Sequence, residues 1–152
     1  MKVSESRVKR VLAFIVAVVT TYVVAVLFYT QLTLGNLVEL GLVVTGADRL
    51  SAAMHDLGAM APIYAPLLAI ALLLGFLGAA LVLRWVPQIR TLGYVVGGFM
   101  AIFVMDWMMS SALMTHMLPV TRTVVGLISQ CIAGAVGGWV FATLSSRKAA
   151  TG

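Results

Sequence analysis

Four long apolar runs constrain this chain more than any other feature of its sequence. They cover approximately residues 11–30, 61–83, 91–113 and 119–144. A helix that crosses a bilayer needs about 20 predominantly apolar residues, and each run is at least that long. Only 10% of the residues are charged, whereas a soluble domain contains about 25%, so a water-facing surface would lack charge. We therefore predict an all-α integral membrane protein, in which residues 1–152 form a single transmembrane domain with four transmembrane helices in a bundle.

The basic residues lie mostly on one side of the predicted membrane. If the N-terminus is inside, the outer segments contain Arg49 and Arg122, and the inner segments contain Lys2, Arg7, Lys9, Arg10, Arg84, Arg90, Arg147 and Lys148. Cytoplasmic loops carry an excess of Lys and Arg, so this distribution predicts a bacterial inner-membrane protein with both termini in the cytoplasm. The net charge of +5 then follows from the topology, and no nucleic-acid partner is expected.

Residues 45–58 predict a short amphipathic helix between the first two runs. Thr45 and Asp48 have the spacing of a capping box, and Gly58 is suited to ending a helix. The side chains separate at helical spacing into an apolar face with Leu50, Ala53, Met54 and Leu57 and a polar face with Arg49, His55 and Asp56. We expect this helix on the outer (periplasmic) face, either lying on the membrane or capping the bundle. Residues 35–44 either extend the first span or re-enter the membrane.

Asp106 lies well inside the third apolar run. A charged side chain at this depth costs at least about 2–3 kcal/mol, so it usually faces protein or water rather than lipid. Counting about 1.5 Å per residue from the ends of the runs places polar side chains of two other helices at the same depth. Ser110 shares the helix face of Asp106, and Arg122 lies near the start of the fourth run. The predicted polar layer consists of Asp106, Ser110, Gln130, Ser129, Thr20, Thr21, Tyr22 and Arg122.

Three roles are open for Asp106. It could fix the helix register as a protonated or hydrogen-bonded group, with Gln130, Ser129 or Tyr22 as its partner. Alternatively, it could bind a cation or relay a proton, or it could pair with Arg122. Other candidates for acid–base chemistry lie in the outer segments, namely Glu39, Asp48, His55, Asp56 and His116. No catalytic residue is therefore predicted, and the sequence identifies no cofactor.

Small residues repeat along each of the last three runs. The glycines best suited to close helix packing are Gly75, Gly93, Gly97, Gly134 and Gly138. Small side chains let helix backbones approach closely in a membrane, either within one bundle or between subunits. Because four helices enclose little interior of their own, we expect a homo-oligomer, or an assembly with other membrane subunits, in the lipid bilayer.

Methionines crowd the outer half of the third run. Together with His55 and His116, Met105 and Met109 offer thioether and imidazole groups, which are ligands for Cu(I). Met105-x-x-x-Met109, followed by Gly134-x-x-x-Gly138 on the next helix, resembles the eukaryotic copper-uptake family, which pairs such motifs on its last two spans. This resemblance implies Cu(I) handling. The chain differs from that family in its extra first span, in the longer stretch between the motifs and in lacking an outer tail dense in M-x-M, and methionine is also typical of adaptable packing between helices.

These features favour an oligomeric channel or transporter for a cation, a proton or a small solute. Three alternatives stay open: a non-catalytic accessory or assembly subunit of a larger membrane complex, a Cu(I)-handling protein, and a small membrane enzyme. Short loops and several glycine faces suit the accessory subunit equally well. The enzyme is the least favoured, because Asp106 is the only acidic residue inside a predicted span.

Overall fold

The computed structural model describes residues 2–112 and 124–146. All regular secondary structure in these residues is helical, with no β-strand among them. The helices are α1 (Lys2–Glu39), α2 (Gly46–Ala59), α3 (Ala61–Leu83), α4 (Arg90–Ala112) and α5 (Val124–Ser146), and a short 3-10 turn (Pro87–Ile89) precedes α4. Four of them, α1, α3, α4 and α5, are long and apolar enough to span a membrane. This confirms the prediction of an all-helical chain with four such helices.

The four long helices form a bundle in which contacting neighbours are antiparallel. α5 packs between α1 and α4, α4 also packs against α3, and α3 meets α1 less extensively. Between α3 and α4, for example, Leu83 lies beside Gly93 and Gly75 lies beside Gly97, so the residue numbers run in opposite directions. α2 packs against the end of the bundle that contains the C-terminal half of α1 and the start of α3. We call this end the α2 end.

α1 is much longer than the first span expected from the sequence. At about 1.5 Å per residue, its 38 residues extend for about 57 Å, roughly twice the hydrocarbon thickness of a bilayer. The helix continues beyond residue 30, the expected end of the span, to Glu39. Gly41 then turns the chain with a φ of 87°, which glycine adopts without the steric penalty of a Cβ. Of the two alternatives for residues 35–44, extension of the first helix is thus found up to Glu39.

α2 begins at the predicted capping box. The Asp48 backbone N–H donates to Thr45 Oγ1 at 3.3 Å, and the Thr45 backbone N–H donates to Asp48 Oδ2 at 2.9 Å. The helix ends at Ala59, one residue after Gly58. Met60 then serves both as the last cap of α2 and as the first cap of α3. A single residue therefore joins the two helices.

The expected separation of α2 into an apolar inner face and a polar outer face is only partly found. Ala53 is buried, but Leu50 and Met54 are 67% and 65% exposed. Asp56, which was expected on the polar face, instead turns towards α1 and accepts a hydrogen bond from the Thr30 hydroxyl at 2.8 Å. Because little apolar surface is buried on its inner side, α2 depends on hydrogen bonds for its attachment to the bundle.

The remaining long helices lie close to the expected positions. α3 has the bounds of the second apolar run. The first and last residues of α4 each precede the corresponding end of the third apolar run by one position. α5 is described from Val124, so the expected start of the fourth span at Pro119 lies outside the described residues. The same is true of His116 and Arg122.

Glycines bring the helix backbones into direct contact. Gly75 and Gly97 face each other between α3 and α4, and a methyl group added at Gly75 would lie 2.6 Å from the Gly97 carbonyl oxygen. Between α4 and α5, a Cβ at Gly134 would overlap the carbonyl oxygen of Gly98, and one at Gly138 would overlap that of Tyr94. The glycines expected to mediate helix packing are therefore in contacts within one chain.

A cluster of four aromatic rings fills the half of the bundle furthest from α2. Each of the four long helices contributes one ring, from Phe14, Phe76, Tyr94 and Phe141. Phe76 is at the centre: it stacks on Phe141 with ring centroids 4.7 Å apart and meets Phe14 and Tyr94 edge to face. We call these four residues the aromatic cluster. Their packing fills the interior of this half of the bundle with aromatic side chains.

Two glycines of α3 provide a matched test of this packing. Gly75→Ala introduces a methyl group between α3 and α4, where it would also lie 2.6 Å from Ala101 Cβ, whereas a methyl group at Gly78 meets nothing within 4 Å among the described residues. We expect Gly75→Ala to destabilise the purified protein by about 1–3 kcal/mol, because overpacking forces the helices apart. Gly78→Ala should leave the thermal unfolding temperature unchanged or slightly raised. Equal effects of the two substitutions would contradict this packing.

The capping box predicts a pH dependence for the start of α2. Hydrogen bonds from the Thr45 hydroxyl and then from its backbone N–H hold the pKa of the Asp48 carboxyl below its ordinary value of 3.8. The stabilisation is therefore complete above pH 3.8 and is lost as the pH falls through the lower pKa of the folded protein. In amide hydrogen exchange, Asp48→Ala should lower the protection of the first turn of α2 at neutral pH. The difference from wild type should disappear in acid, and a difference that persists there would exclude the ionised carboxylate as its cause.

Candidate functional site

The side chain of Asp106 is buried in the interior of the bundle near the α2 end. It lies six residues before the end of α4, which corresponds to about 9 Å along the helix axis, and it is only 3% exposed. Neither of its carboxylate oxygens has a hydrogen-bond partner among the described residues. Most buried polar groups in proteins have such a partner, and a buried charge without one is costly. Asp106 is therefore a group that the packing of the described bundle does not explain.

Two other ionisable side chains lie near this carboxyl. The Tyr64 hydroxyl on α3 and the Cys131 thiol on α5 are both within electrostatic range of Asp106. Cys131 is buried, and Asp106 itself is on α4, so three helices contribute to this region. The adjacent Met105 and Ile102 belong to the apolar core of the bundle. The carboxyl thus lies at a boundary between a few polar groups and a hydrophobic interior.

Gln130 forms the hydrogen bonds that connect the helices in this polar layer of the bundle. The Tyr64 hydroxyl donates to Gln130 Oε1 at 3.1 Å, and Gln130 Nε2 donates to the carbonyl oxygen of Ala25 on α1 at 3.1 Å. The buried amide therefore links α1, α3 and α5. Its hydrogen bonds are made with these partners and not with Asp106.

The other polar side chains that were expected at this depth mostly bond to their own helices. Thr20 and Thr21 donate to the carbonyl oxygens four residues earlier, at 2.8 and 2.9 Å, and Ser129 donates to that of Val125. Hydroxyls on helices often form such bonds with the preceding turn. The hydroxyl protons of these three residues are therefore directed to their own backbone, and Thr21 lies against Gly137 of α5. Arg122 and the side chain of Ser110 lie outside the described residues.

Tyr22 connects the layer to α2. Its hydroxyl donates to the carbonyl oxygen of Leu57 at 2.7 Å, and its ring lies 6.2 Å from that of Tyr64. Leu57 follows Asp56, whose carboxylate is within electrostatic range of the Tyr22 hydroxyl. Polar groups therefore continue from the buried layer to the end of the bundle.

Three residues of this arrangement were not predicted from the sequence. Tyr64 lies in the first turn of an otherwise apolar run. Its phenol, two residues after Pro62, could have been recognised as a polar group at the start of a membrane helix. Asp56 was expected on the outer face of α2, and Thr30 was taken only as the end of the first span. The hydrogen bond between Thr30 and Asp56 depends on the angle at which α2 crosses α1, which helical periodicity does not specify.

The candidate copper ligands are distributed among different environments. Met105 is buried in the apolar core, Met109 is half-buried, and His55 is exposed on α2. His116 lies outside the described residues. Within residues 2–112 and 124–146, no group of three or more His, Cys, Asp or Glu side chains could hold a metal ion.

No protein-family model matches this chain, and neither a curated protein nor a solved structure matches it. The resemblance to the copper-uptake family is therefore not supported by a family match. What the protein does has to be inferred from the chemistry of its own residues.

Asp106 and Gln130 should respond differently to substitution. Gln130→Met removes the amide but keeps an unbranched side chain of similar length, and it should destabilise the protein by about 1–2 kcal/mol, because the Tyr64 hydroxyl loses its acceptor and the side-chain hydrogen bond to the Ala25 carbonyl is lost. Asp106→Asn breaks no hydrogen bond among the described residues and should unfold at the same temperature as wild type or higher. Thermal unfolding in detergent measures both. If Asp106→Asn lowers the unfolding temperature as much as Gln130→Met, Asp106 is a structural contact.

Proposed function

We propose that the protein is a small membrane transport protein in which Asp106 binds the transported proton or small cation. The observation that carries this proposal is the buried carboxyl of Asp106, which lies inside a bundle of four potentially membrane-spanning helices and has no hydrogen-bond partner among the described residues. Ionisable groups inside membrane helices are costly, and they mark ion and proton pathways. A carboxylate is also the natural counter-charge for a cation in a medium of low dielectric.

A purely structural role for Asp106 is less well supported. A side chain that fixes helix register does so through hydrogen bonds to neighbouring helices. In this bundle Gln130 makes those bonds, to Tyr64 on α3 and to Ala25 on α1. The free energy needed to bury Asp106 is therefore not offset by hydrogen bonds within the described structure, which favours a functional reason for its presence.

The proposal includes insertion in a bilayer with α2 on the outer side. Four long apolar helices and the excess of basic residues at the opposite end support this orientation. The same distribution favours cytoplasmic termini and a bacterial inner membrane. Exposed apolar residues such as Leu74 and Val104 on the outside of the bundle would then face lipid.

The proposed binding group lies within a single chain. Asp106 is buried by the helices of its own bundle, and the packing glycines are in contacts between helices of the same chain. A homo-oligomer stays a prediction, but the site does not need a second copy to surround the carboxyl. The bundle is accordingly proposed as the unit that binds the ion.

Flux through reconstituted protein tests this function. Proteoliposomes with a pH-sensitive or cation-sensitive dye inside should show flux driven by an imposed gradient, and Asp106→Asn should reduce it by about a hundredfold or more, because the neutral amide neither binds a cation nor exchanges a proton. Asp48→Asn makes the same chemical change at an exposed residue of α2 and should retain wild-type flux. Equal flux in wild type and Asp106→Asn, or no flux of protons or monovalent cations in wild type, would overturn the proposal.

A further inference from the structure

We propose that the transported ion is a proton and that Asp56 is the group that exchanges it with water at the α2 end of the bundle. This inference rests on the proposed transport function and adds to it the identity of the ion and a second carboxylate. Nothing in the helical pattern of α2 suggests this role, because periodicity places Asp56 on the face that points away from the bundle.

Asp56 is held where α2 crosses α1. Its Oδ2 accepts a hydrogen bond from the Thr30 hydroxyl at 2.8 Å, and its side chain is half-buried rather than fully exposed. Arg49, on the same helix, donates to Gln31 Oε1 and not to Asp56. One turn along α1, the hydroxyl oxygen of Thr33 is buried and has no partner among the described residues. Asp56 is therefore a carboxylate at the edge of the protein, next to polar groups that are not all satisfied.

Two tyrosine side chains lie in the region that contains Asp56 and Asp106. The Tyr22 hydroxyl on α1 is within electrostatic range of Asp56 and donates to the carbonyl oxygen of the next residue, Leu57. The Tyr22 and Tyr64 rings have centroids 6.2 Å apart, and the Tyr64 hydroxyl on α3 is within electrostatic range of Asp106. The order of groups is thus Asp56, Tyr22, Tyr64 and Asp106, and we call these four residues the carboxylate–tyrosine chain. The Cys131 thiol of α5 is also within electrostatic range of Asp106.

The surroundings of Asp106 suit a proton better than a metal cation. Ca²⁺ and Mg²⁺ take about six or more oxygen ligands, and K⁺ filters use rings of backbone carbonyls. Beside Asp106, the nearby Tyr64 hydroxyl and the Gln130 amide are already bonded to each other. A proton needs only one oxygen atom, and it removes the charge that makes burial of the carboxylate costly.

Proton movement along this chain leaves both tyrosines unchanged. The Asp56 carboxylate takes a proton from water and becomes a neutral carboxyl. Each tyrosine hydroxyl then accepts a proton on its oxygen and releases its own proton to the next group, and the Asp106 carboxylate becomes a neutral carboxyl. For this, the Tyr22 hydroxyl must turn away from the Leu57 carbonyl, and the Tyr64 hydroxyl must turn away from Gln130, so that each faces the next group of the carboxylate–tyrosine chain. Ordered water can bridge any gap between these polar groups.

The path from Asp106 towards the end of the bundle away from α2 is closed in this conformation. The apolar residues Leu68, Leu72 and Ile102 are fully buried in the core, and the aromatic cluster fills the half of the bundle beyond them. Tyr94 of that cluster lies twelve residues before Asp106 on α4, about 18 Å along the helix axis. Among the described residues, the polar groups nearest Asp106 therefore lead towards the α2 end, as in one state of a transporter that opens to its two sides in turn.

Three variants separate proton exchange by Asp56 from its role in attaching α2. Asp56→Asn keeps an oxygen that can accept the Thr30 hydrogen bond but does not exchange protons. Thr30→Val removes that hydrogen bond but keeps the carboxylate. Asp56→Glu restores a carboxylate one methylene further out. Proton flux into proteoliposomes should fall about tenfold or more in Asp56→Asn, stay near wild type in Thr30→Val and recover in Asp56→Glu. Asp48→Asn on the same helix is the control for loss of an acidic residue.

The outcomes distinguish this inference from the transport function on which it rests. Wild-type proton flux in Asp56→Asn, together with loss of flux in Asp106→Asn, would overturn the role of Asp56 and leave Asp106 as the binding group. Equal slowing in Asp56→Asn and Thr30→Val would show that attachment of α2 matters and not the carboxylate. Flux of Na⁺ or K⁺ without protons would overturn the identity of the ion, and absence of all flux in wild type would overturn the transport function itself.

Discussion

Direct backbone contact between helices determines the dimensions of this bundle. Leucine packed on leucine gains little in lipid, so helices associate through close approach and through hydrogen bonds. At Gly75 and Gly97 between α3 and α4, and at Gly98 and Gly134 between α4 and α5, the backbones touch with no side chain between them. The interior of the bundle nevertheless differs between its two ends: the aromatic cluster occupies the end away from α2, and the hydrogen-bonded side chains of Tyr64 and Gln130 lie towards α2.

That division gives the two halves of the bundle different chemistry. Away from α2, four aromatic rings and the leucines of α3 fill the interior. Towards α2, Gln130 ties three helices together through hydrogen bonds, and Asp106 is buried beside them without a partner among the described residues. A low dielectric strengthens the electrostatic effect of every charge in such a site. The single acid of α4 therefore acts on its neighbours far more strongly than an exposed carboxylate such as Asp48.

The parts of the structure that follow from one helix at a time were predictable, and the parts that depend on two helices were not. The bounds of α3 follow from the length of an apolar run, and the start of α2 follows from the chemistry of Thr45 and Asp48. Counting residues along a helix placed Gln130 and Tyr22 near the depth of Asp106, but it could not give their directions. The rotation of each helix and the crossing of α2 over α1 decide that Tyr22 bonds to Leu57, that Thr21 bonds to its own backbone, and that Asp56 faces inward.

The connection between α2 and α3 has a mechanical consequence. Met60 is the only residue between the two helices, and Pro62 and Pro66 each remove a backbone donor from the first turns of α3. Tyr64 lies between those prolines, close in the chain to the end of α2. If Asp106 binds an ion as proposed and its occupation shifts α2, thermodynamic linkage requires that a ligand or lipid bound at α2 changes the affinity of Asp106 for that ion, and that occupation of Asp106 changes the affinity for the ligand by the same factor.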